Sequence, residues 1–259
     1  MENKKIKVTV WSEGLNGNWE PLATETYPED INTCIAGFLK NNSDMEVSIR
    51  SLHEEENGLS QDIINNTDVL VMWAHIYHHL LTDEVCDRIV NAVLNGMGLL
   101  LLHSAKWSKP AERLLGKCGG GDKYREIGDM ERVWVVNPAH PVCAGLEKEY
   151  IEVEHDEMYG EPFGIPTPDE LVFISWFEGG EVLRSGAAWN RGMGKIFYFA
   201  PGHEEFPVYY HPEIQKVITN AVRWLQPVNS PVITMQGGLD EKEPLSPVRN
   251  PVNPIKING

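Results

Sequence analysis

The run Gly98-Leu-Leu-Leu-Leu-His103 is apolar on both of the faces an extended chain presents, because side chains alternate along a strand. Such a strand has to be covered on each side, as a central strand of a parallel sheet is covered by helices above and below. The preceding sequence agrees with that placement. Ile6 to Trp11 and Met45 to Arg50 alternate and are rich in β-branched residues, and Val69 to Trp73 is a short apolar run behind the turn-like Asn65-Asn66-Thr67-Asp68. Between these strands lie helical patterns. Ile31, Cys34, Ile35, Phe38 and Leu39 recur at helix spacing, as do Val85, Ile89, Val90, Val93 and Leu94 behind the Thr82-Asp83 cap. Alternating strands and helices with right-handed crossovers predict an α/β fold, a doubly wound and mostly parallel sheet with helices on both faces. Loops at the carboxyl ends of its strands then share one rim.

From Arg132 the pattern changes. Arg132 to Val136, Tyr150 to Val153, Glu170 to Phe177, Val182 to Trp189 and Lys195 to Phe199 read as strands broken by Asn-Pro, Gly-Gly and Arg-Gly-Met-Gly turns, which predicts an antiparallel extension. Glu213 to Leu225 closes the fold as an amphipathic helix, with Ile214, Val217, Ile218, Ala221, Val222 and Leu225 on one stripe and Pro227 stopping it. A chain of 259 residues with 42% hydrophobic content can bury one such core. We therefore expect one domain over residues 1–226 and a tail over 227–259. The tail carries Pro227, Pro231, Pro244, Pro247, Pro251 and Pro254 and few large apolar residues, so it is a flexible segment or an arm laid over a second copy in a homo-oligomer.

Charge narrows the partners. With 22 Lys+Arg against 38 Asp+Glu the formal charge is −16, which repels nucleic acid and anionic membrane surfaces over a screening length of roughly 10 Å. No apolar leader follows the charged start, and no stretch approaches the roughly 20 residues of a membrane-spanning helix, so a soluble cytoplasmic protein is expected. Cys34, Cys86, Cys118 and Cys143 stand far apart without CxxC spacing, which predicts reduced and mostly buried thiols.

Three histidines fall where strands are expected to end: His75 in Val71-Met-Trp-Ala-His75, His103 in Leu102-His103-Ser104, and His203 in Ala200-Pro-Gly-His203-Glu204. In open α/β sheets ligands bind beyond the carboxyl ends of the strands, so these segments can deliver imidazoles to one crevice. A fourth segment, Glu154-His155-Asp156-Glu157-Met158-Tyr159-Gly160, adds an imidazole, carboxylates and a phenol after the strand ending at Val153. Imidazole and carboxylate together serve general acid and base catalysis near neutral pH, and equally a zinc site with three nitrogen or oxygen ligands and an open water position. Composition does not choose between them. Weaker signals are set aside. His75, His78 and His79 lack the glutamate of an HExxH helix, Ser104 lacks the glycines of a G-x-S-x-G elbow, and Gly119-Gly120-Gly121 follows a helix instead of joining a strand to one. Trp73, Trp107, Trp176 and Trp189 suit a core, although those near strand ends can stack on the apolar faces of sugar rings.

Four stretches together resemble the ThuA-like (trehalose utilisation) family: Val69-Leu-Val-Met-Trp-Ala-His75, Gly96-Met-Gly-Leu-Leu-Leu-Leu-His-Ser-Ala105, His155-Asp-Glu-Met-Tyr-Gly-Glu-Pro-Phe163 and Gly192-Met-Gly-Lys-Ile-Phe-Tyr-Phe-Ala-Pro-Gly-His203. The resemblance spans Lys5 to Gln226. It implies the flavodoxin-like superfold of class I glutamine amidotransferases, whose nucleophile elbow follows a central strand. Here His103 stands at the elbow in place of cysteine, while His203 and Glu204 match the histidine and glutamate after a late strand, so glutamine hydrolysis should be lost. A chaperone-like relative is disfavoured by the same missing cysteine. The resemblance further implies a disaccharide or keto-sugar ligand. The implied catalytic groups are His103, Glu157, His203 and Glu204, with Trp73, Ser104 and Tyr159 against the substrate. One divalent metal, zinc in first place, is expected on His75, His103, His155 and His203, and no nucleotide cofactor. The two functions carried forward are a hydrolase or lyase of keto-sugars and a non-catalytic sugar-binding or regulatory protein.

Overall fold

A computed structural model describes residues 4–14, 21–116 and 123–228, and every structural statement concerns these residues. In chain order the elements are β1 (Ile6–Ser12), α1 (Pro21–Thr26), α2 (Ile31–Lys40), β2 (Met45–Ser51), α3 (Gln61–Asn65), β3 (Val69–Ala74), α4 (Asp83–Leu94), β4 (Gly98–His103) and α5 (Lys109–Leu115). They continue with β5 (Lys123–Val135), β6 (Tyr150–Gly160), β7 (Glu170–Phe177), β8 (Val182–Arg191), β9 (Gly194–Phe199) and α6 (Pro212–Leu225). The strands form one sheet in the order β2-β1-β3-β4-β9-β8-β7-β5-β6.

Two halves meet at β9. The strands β2-β1-β3-β4-β9 are all parallel, in the flavodoxin order with β9 in fifth place. Beyond β9 every pairing is antiparallel. The expected α/β fold with its antiparallel extension is thus present.

Alternation along the parallel strands explains how both faces are filled. Val69, Val71, Trp73, Leu100 and Leu102 pack with α2 and α6, whereas Leu70, Met72, Leu99 and Leu101 pack with α3, α4 and α5. The four leucines of β4 are fully buried, and each such side chain contributes about 1.5–3 kcal/mol from its transfer out of water. Thr82 caps α4 by accepting the Val85 amide, 3.4 Å away. Gly98 opens β4 where α6 ends: a Cβ there would lie 2.4 Å from the Leu225 carbonyl oxygen, so only glycine lets helix and strand approach this closely.

The antiparallel half departs from expectation in length. β5 begins at Lys123, not Arg132, and β6 runs on from Val153 to Gly160, so the acidic segment expected after a strand lies within one. Two irregularities explain why alternation hid this. Asp129 pairs with Asp156 and Glu131 with Val153, which leaves β6 one residue longer across the step, and both Glu154 and His155 turn to solvent there. Arg125 pairs with Met158, so β5 carries two extra residues between Arg125 and Asp129. No described helix is long and apolar enough to cross a membrane. Cys86 and Cys143 are buried and Cys34 half-buried, all as free thiols pushed up to about 11 by burial. Cys118, the Gly119-Gly120-Gly121 loop and the tail beyond Val228, with its expected oligomer arm, lie outside the described residues.

Candidate functional site

The site is built at the carboxyl ends of β1, β3, β4 and β9, with β6 reaching it from the antiparallel half. His75 follows β3, His103 ends β4, His203 follows β9 and Glu157 lies on β6. One ligand atom from each of these four lies within 4.8 Å of the others. The ring centroids are 5.1 Å apart for His75 and His103, 4.9 Å for His75 and His203, and 5.5 Å for His103 and His203. Tetrahedral zinc with bonds of about 2.0–2.1 Å spaces its ligands about 3.3 Å apart, so the cluster is of the right scale and slightly open.

His103 occupies its place through an unusual backbone. Its φ of 53° and ψ of −124° put a bulky residue in a region that favours glycine. This is a sharp strand-end turn like that of a nucleophile elbow, with an imidazole on it. The ring lies against Trp73, at 6.3 Å and 9° between planes. Trp73 itself is fully buried and donates its indole N–H to the Gly202 carbonyl at 3.0 Å, so it supports the site from beneath and offers no face to a sugar. That corrects the expected substrate contact at Trp73. Ser104 and Tyr159 are also buried, with their hydroxyls 2.6 Å apart and the Tyr159 hydroxyl 3.4 Å from His103 Nε2.

Hydrogen bonds assign the proton on each ring. His75 Nδ1 lies 2.7 Å from Glu204 Oε1, and His103 Nδ1 lies 3.4 Å from the Ala200 carbonyl, so in both rings the Nδ1–H donates and Nε2 faces the cluster. His203 is the reverse. Its Nδ1 accepts the Glu205 amide at 3.2 Å, which leaves the proton on Nε2. Burial holds His203 down at about 4 and therefore neutral. For His75 burial works in the same direction but is outweighed by Glu204, assisted by Glu157 and Glu13, so the ring is raised to about 9. Burial raises Glu157 and Glu204, yet His103 and His75 respectively outweigh it and hold both carboxylates below the usual range. Glu157 Oε2 lies 3.2 Å from His103 Nε2 and, like His203 Nε2, lacks a hydrogen-bond partner in good geometry.

Two further carboxylates fix the backbone of these segments. Glu13, after β1, accepts the amides of Ile76 at 2.6 Å and Tyr77 at 2.9 Å, which anchors the turn that carries His75. Asp156 accepts the amides of Gly202 at 2.9 Å, His203 at 3.1 Å and Glu157 at 2.8 Å, tying β6 to the loop after β9. A third, Glu126, sits on the irregular stretch of β5. The residue is exposed; burial of part of its side chain raises the carboxyl, and the charges of Glu157 and Glu204 add to this.

The structure therefore brings together His75, His103, His203, Glu157 and Glu204, with Ser104 and Tyr159 beside them. It does not bring His155. That ring is 57% exposed, beside the step in the β5–β6 pairing, and its Nδ1 lies 2.9 Å from the Gly128 carbonyl, while Glu157 is buried in the cluster. Glu204 pairs with His75 and stands 3.8 Å from His203, so the adjacent residues are not a catalytic pair with each other. Glu13 and Glu126 escaped the sequence reading because neither belongs to a histidine-bearing motif. An acidic residue directly behind the first strand end, Ser12-Glu13-Gly14, was the available signal for the former.

The comparisons with known proteins agree with this fold. The family model described as ThuA, trehalose utilisation, matches residues 7–225. No curated protein sequence matches the chain. Among solved structures, a ThuA-like protein from Parabacteroides merdae superposes with a TM-score of 0.64 at 17% identity, over 88% of this chain and 93% of that one. A cytoplasmic protein from Salmonella typhimurium gives 0.58 at 17% identity, over 86% of this chain and 100% of that one. A ThuA-like protein from Bacteroides uniformis gives 0.58 at 15% identity, over 86% and 92%. At these identities the solved structures speak for the fold, and the family model for the kinship.

Proposed function

This chain belongs to the trehalose-utilisation (ThuA) family, and we propose that it is a metal-dependent hydrolase or lyase acting on a disaccharide, in first place one oxidised to a keto-sugar. The observation that carries the reading is the meeting of His75, His103, His203 and Glu157 from four separate segments within 4.8 Å. The residues fit a divalent cation. His75 and His103 turn Nε2 toward the cluster, where a cation would displace the Nε2 proton that His75 carries at neutral pH, and Glu157 has a buried oxygen that lacks a hydrogen-bond partner in good geometry. Two imidazoles and one carboxylate are a donor set that catalytic zinc sites use with one position left open. The His75–Glu204 hydrogen bond is the outer support that ligating histidines need to fix ring and tautomer.

A bound cation would supply Lewis acidity toward a sugar oxygen. The remaining work falls to protein groups. His203, neutral and protonated on Nε2, is placed as a hydrogen-bond donor to an oxygen that gains charge, since a neutral imidazole can polarise a carbonyl without giving up its proton. Glu126, exposed on the irregular stretch of β5 and within reach of the Glu157 and Glu204 charges, has neither a ligand nor an anchoring role and is the carboxylate we assign to accept a proton from a carbon or a water. Elbow residue His103 excludes thiol chemistry because its side chain occupies the nucleophile's position.

Purified protein should carry, or take up on titration, about one zinc or comparable divalent ion per chain. Keto-disaccharides should be turned over by the loaded protein and should raise its melting temperature more than the unoxidised sugars. Absence of any stoichiometric metal across preparations and titrations would remove the metal reading. A thermal shift by sugar without turnover would leave a sugar-binding protein in its place.

A further inference from the structure

We propose that Glu131 is a positioning residue that carries a proton at neutral pH and donates it to Asp156, forming a neutral-acid strut beneath the cluster. Three observations carry this. Glu131 is 1% exposed, and neither of its carboxyl oxygens has a hydrogen bond in good geometry, the Ser175 hydroxyl being the donor that stands beside it. No described cation pairs with it, and Arg125 on the same strand is committed to Asp129 and Glu181. Its immediate neighbour is the carboxyl of Asp156, likewise 1% exposed.

Two carboxyl groups in contact and away from water cannot both ionise, because burial and mutual repulsion act in the same direction. The hydrogen bonds decide which one keeps the proton. Asp156 receives three backbone amides, from Gly202, His203 and Glu157, and each favours its charged form. Glu131 receives no amide, only the nearby Ser175 hydroxyl, which favours its charged form far less than three amides favour that of Asp156. The proton therefore rests on Glu131, where it serves as a fourth donor to Asp156. Burial followed by the Asp156 charge pushes Glu131 well above the usual carboxylate range, in keeping with this arrangement.

The consequence is mechanical. Asp156 is the one side chain that holds Glu157 and His203 by their backbones, so whatever fixes the Asp156 carboxylate fixes two of the four cluster residues. An uncharged donor does so without adding a second negative charge beside the site. The inference rests on the proposed metal reading only for one of its two readouts.

The test compares the wild-type chain with Glu131→Gln and Glu131→Leu. In the infrared difference spectrum of wild type against Glu131→Gln at neutral pH, the wild type should show the carbonyl stretch of an un-ionised carboxylic acid, downshifted in heavy water, that the variant lacks. A difference made of carboxylate bands instead would overturn the proposal, whatever the metal does. In zinc titrations Glu131→Gln, whose amide can still donate to Asp156, should bind within a few-fold of wild type. Glu131→Leu should bind roughly 10–100-fold more weakly, the usual cost of losing an outer support of a metal site. Equal zinc affinity in a folded Glu131→Leu would also overturn it. If wild type binds no zinc, the metal reading fails while the infrared comparison still decides the state of Glu131, and it does so too if Glu131→Leu does not fold.

Discussion

The parallel and antiparallel halves of the sheet build the site by different means. In the parallel half, β1, β3, β4 and β9 end on the same side, so each places a residue on the rim merely by stopping: Glu13, His75, His103 and His203 all lie at or within a few residues of a strand end. In the antiparallel half no such rim exists, because neighbouring strands run in opposite directions. Its contributions come from the interior of long strands, and irregular pairing is what aims them. Asp156 and Glu157 on β6 and Glu126 on β5 flank steps where the two strands fall out of register. The parallel half delivers all three imidazoles of the cluster, the antiparallel half its fourth member, the Glu157 carboxylate, and the hydrogen bonds that Asp156 accepts from the Gly202 and His203 amides join the two.

The comparison can be broken most directly at the metal itself. If both halves supply ligands, His75→Ala and Glu157→Gln should each weaken zinc binding by at least about a hundredfold, since a direct ligand matters more than the outer supports whose loss costs about 10–100-fold. Isothermal titration with zinc checks both, with circular dichroism to show that each variant is folded. Should Glu157→Gln bind zinc as wild type does while His75→Ala does not, the antiparallel half would be a scaffold and the metal would belong to the parallel half alone.

How much of this was legible follows the same division. The apolar run of β4, the caps and periodicity of α4 and α6, and the histidines behind β3, β4 and β9 could be read directly, because buried parallel strands and amphipathic helices write their burial into residue order. Lys123 to Glu131 and Glu154 to Gly160 could not be read as strand. These segments are rich in charge and glycine, and their irregular pairing interrupts the period of two on which a strand is recognised. Trp73 was misjudged for a related reason: lying next to a strand end says nothing about which face the side chain takes, and its face is the buried one. The elbow at His103 had no glycine to announce it. Its conformation is imposed by the packed strand before it and the turn after it, which are tertiary facts.

Stability separates the halves in another way. Gly98→Ala would drive a methyl group to 2.4 Å from the Leu225 carbonyl, against a helix backbone packed on the parallel half. Overpacking of this kind costs about 1–3 kcal/mol, and at about 2–4 °C per kcal/mol for a domain of this size the melting temperature should fall by several degrees. Zinc affinity of the folded variant should stay near wild type, because the start of β4 is the end remote from His103. A large loss of zinc affinity at unchanged stability would mean that the parallel half does not hold its rim rigidly.

The smallest expected effect tests the irregular pairing most finely. His155 and Glu157 are two residues apart, so in a regular strand they would share a face, and a site that contained one would contain the other. Beside the step in pairing they part, Glu157 buried in the cluster and His155 mostly exposed with one hydrogen bond to the Gly128 carbonyl. His155→Ala should therefore change stability by less than about 1 kcal/mol, the net value of one such bond, and leave zinc affinity and stoichiometry unaltered. If it instead lowers zinc affinity as far as Glu157→Gln does, the phase assigned to β6 is wrong, and with it the view that the antiparallel half aims its residues by falling out of register.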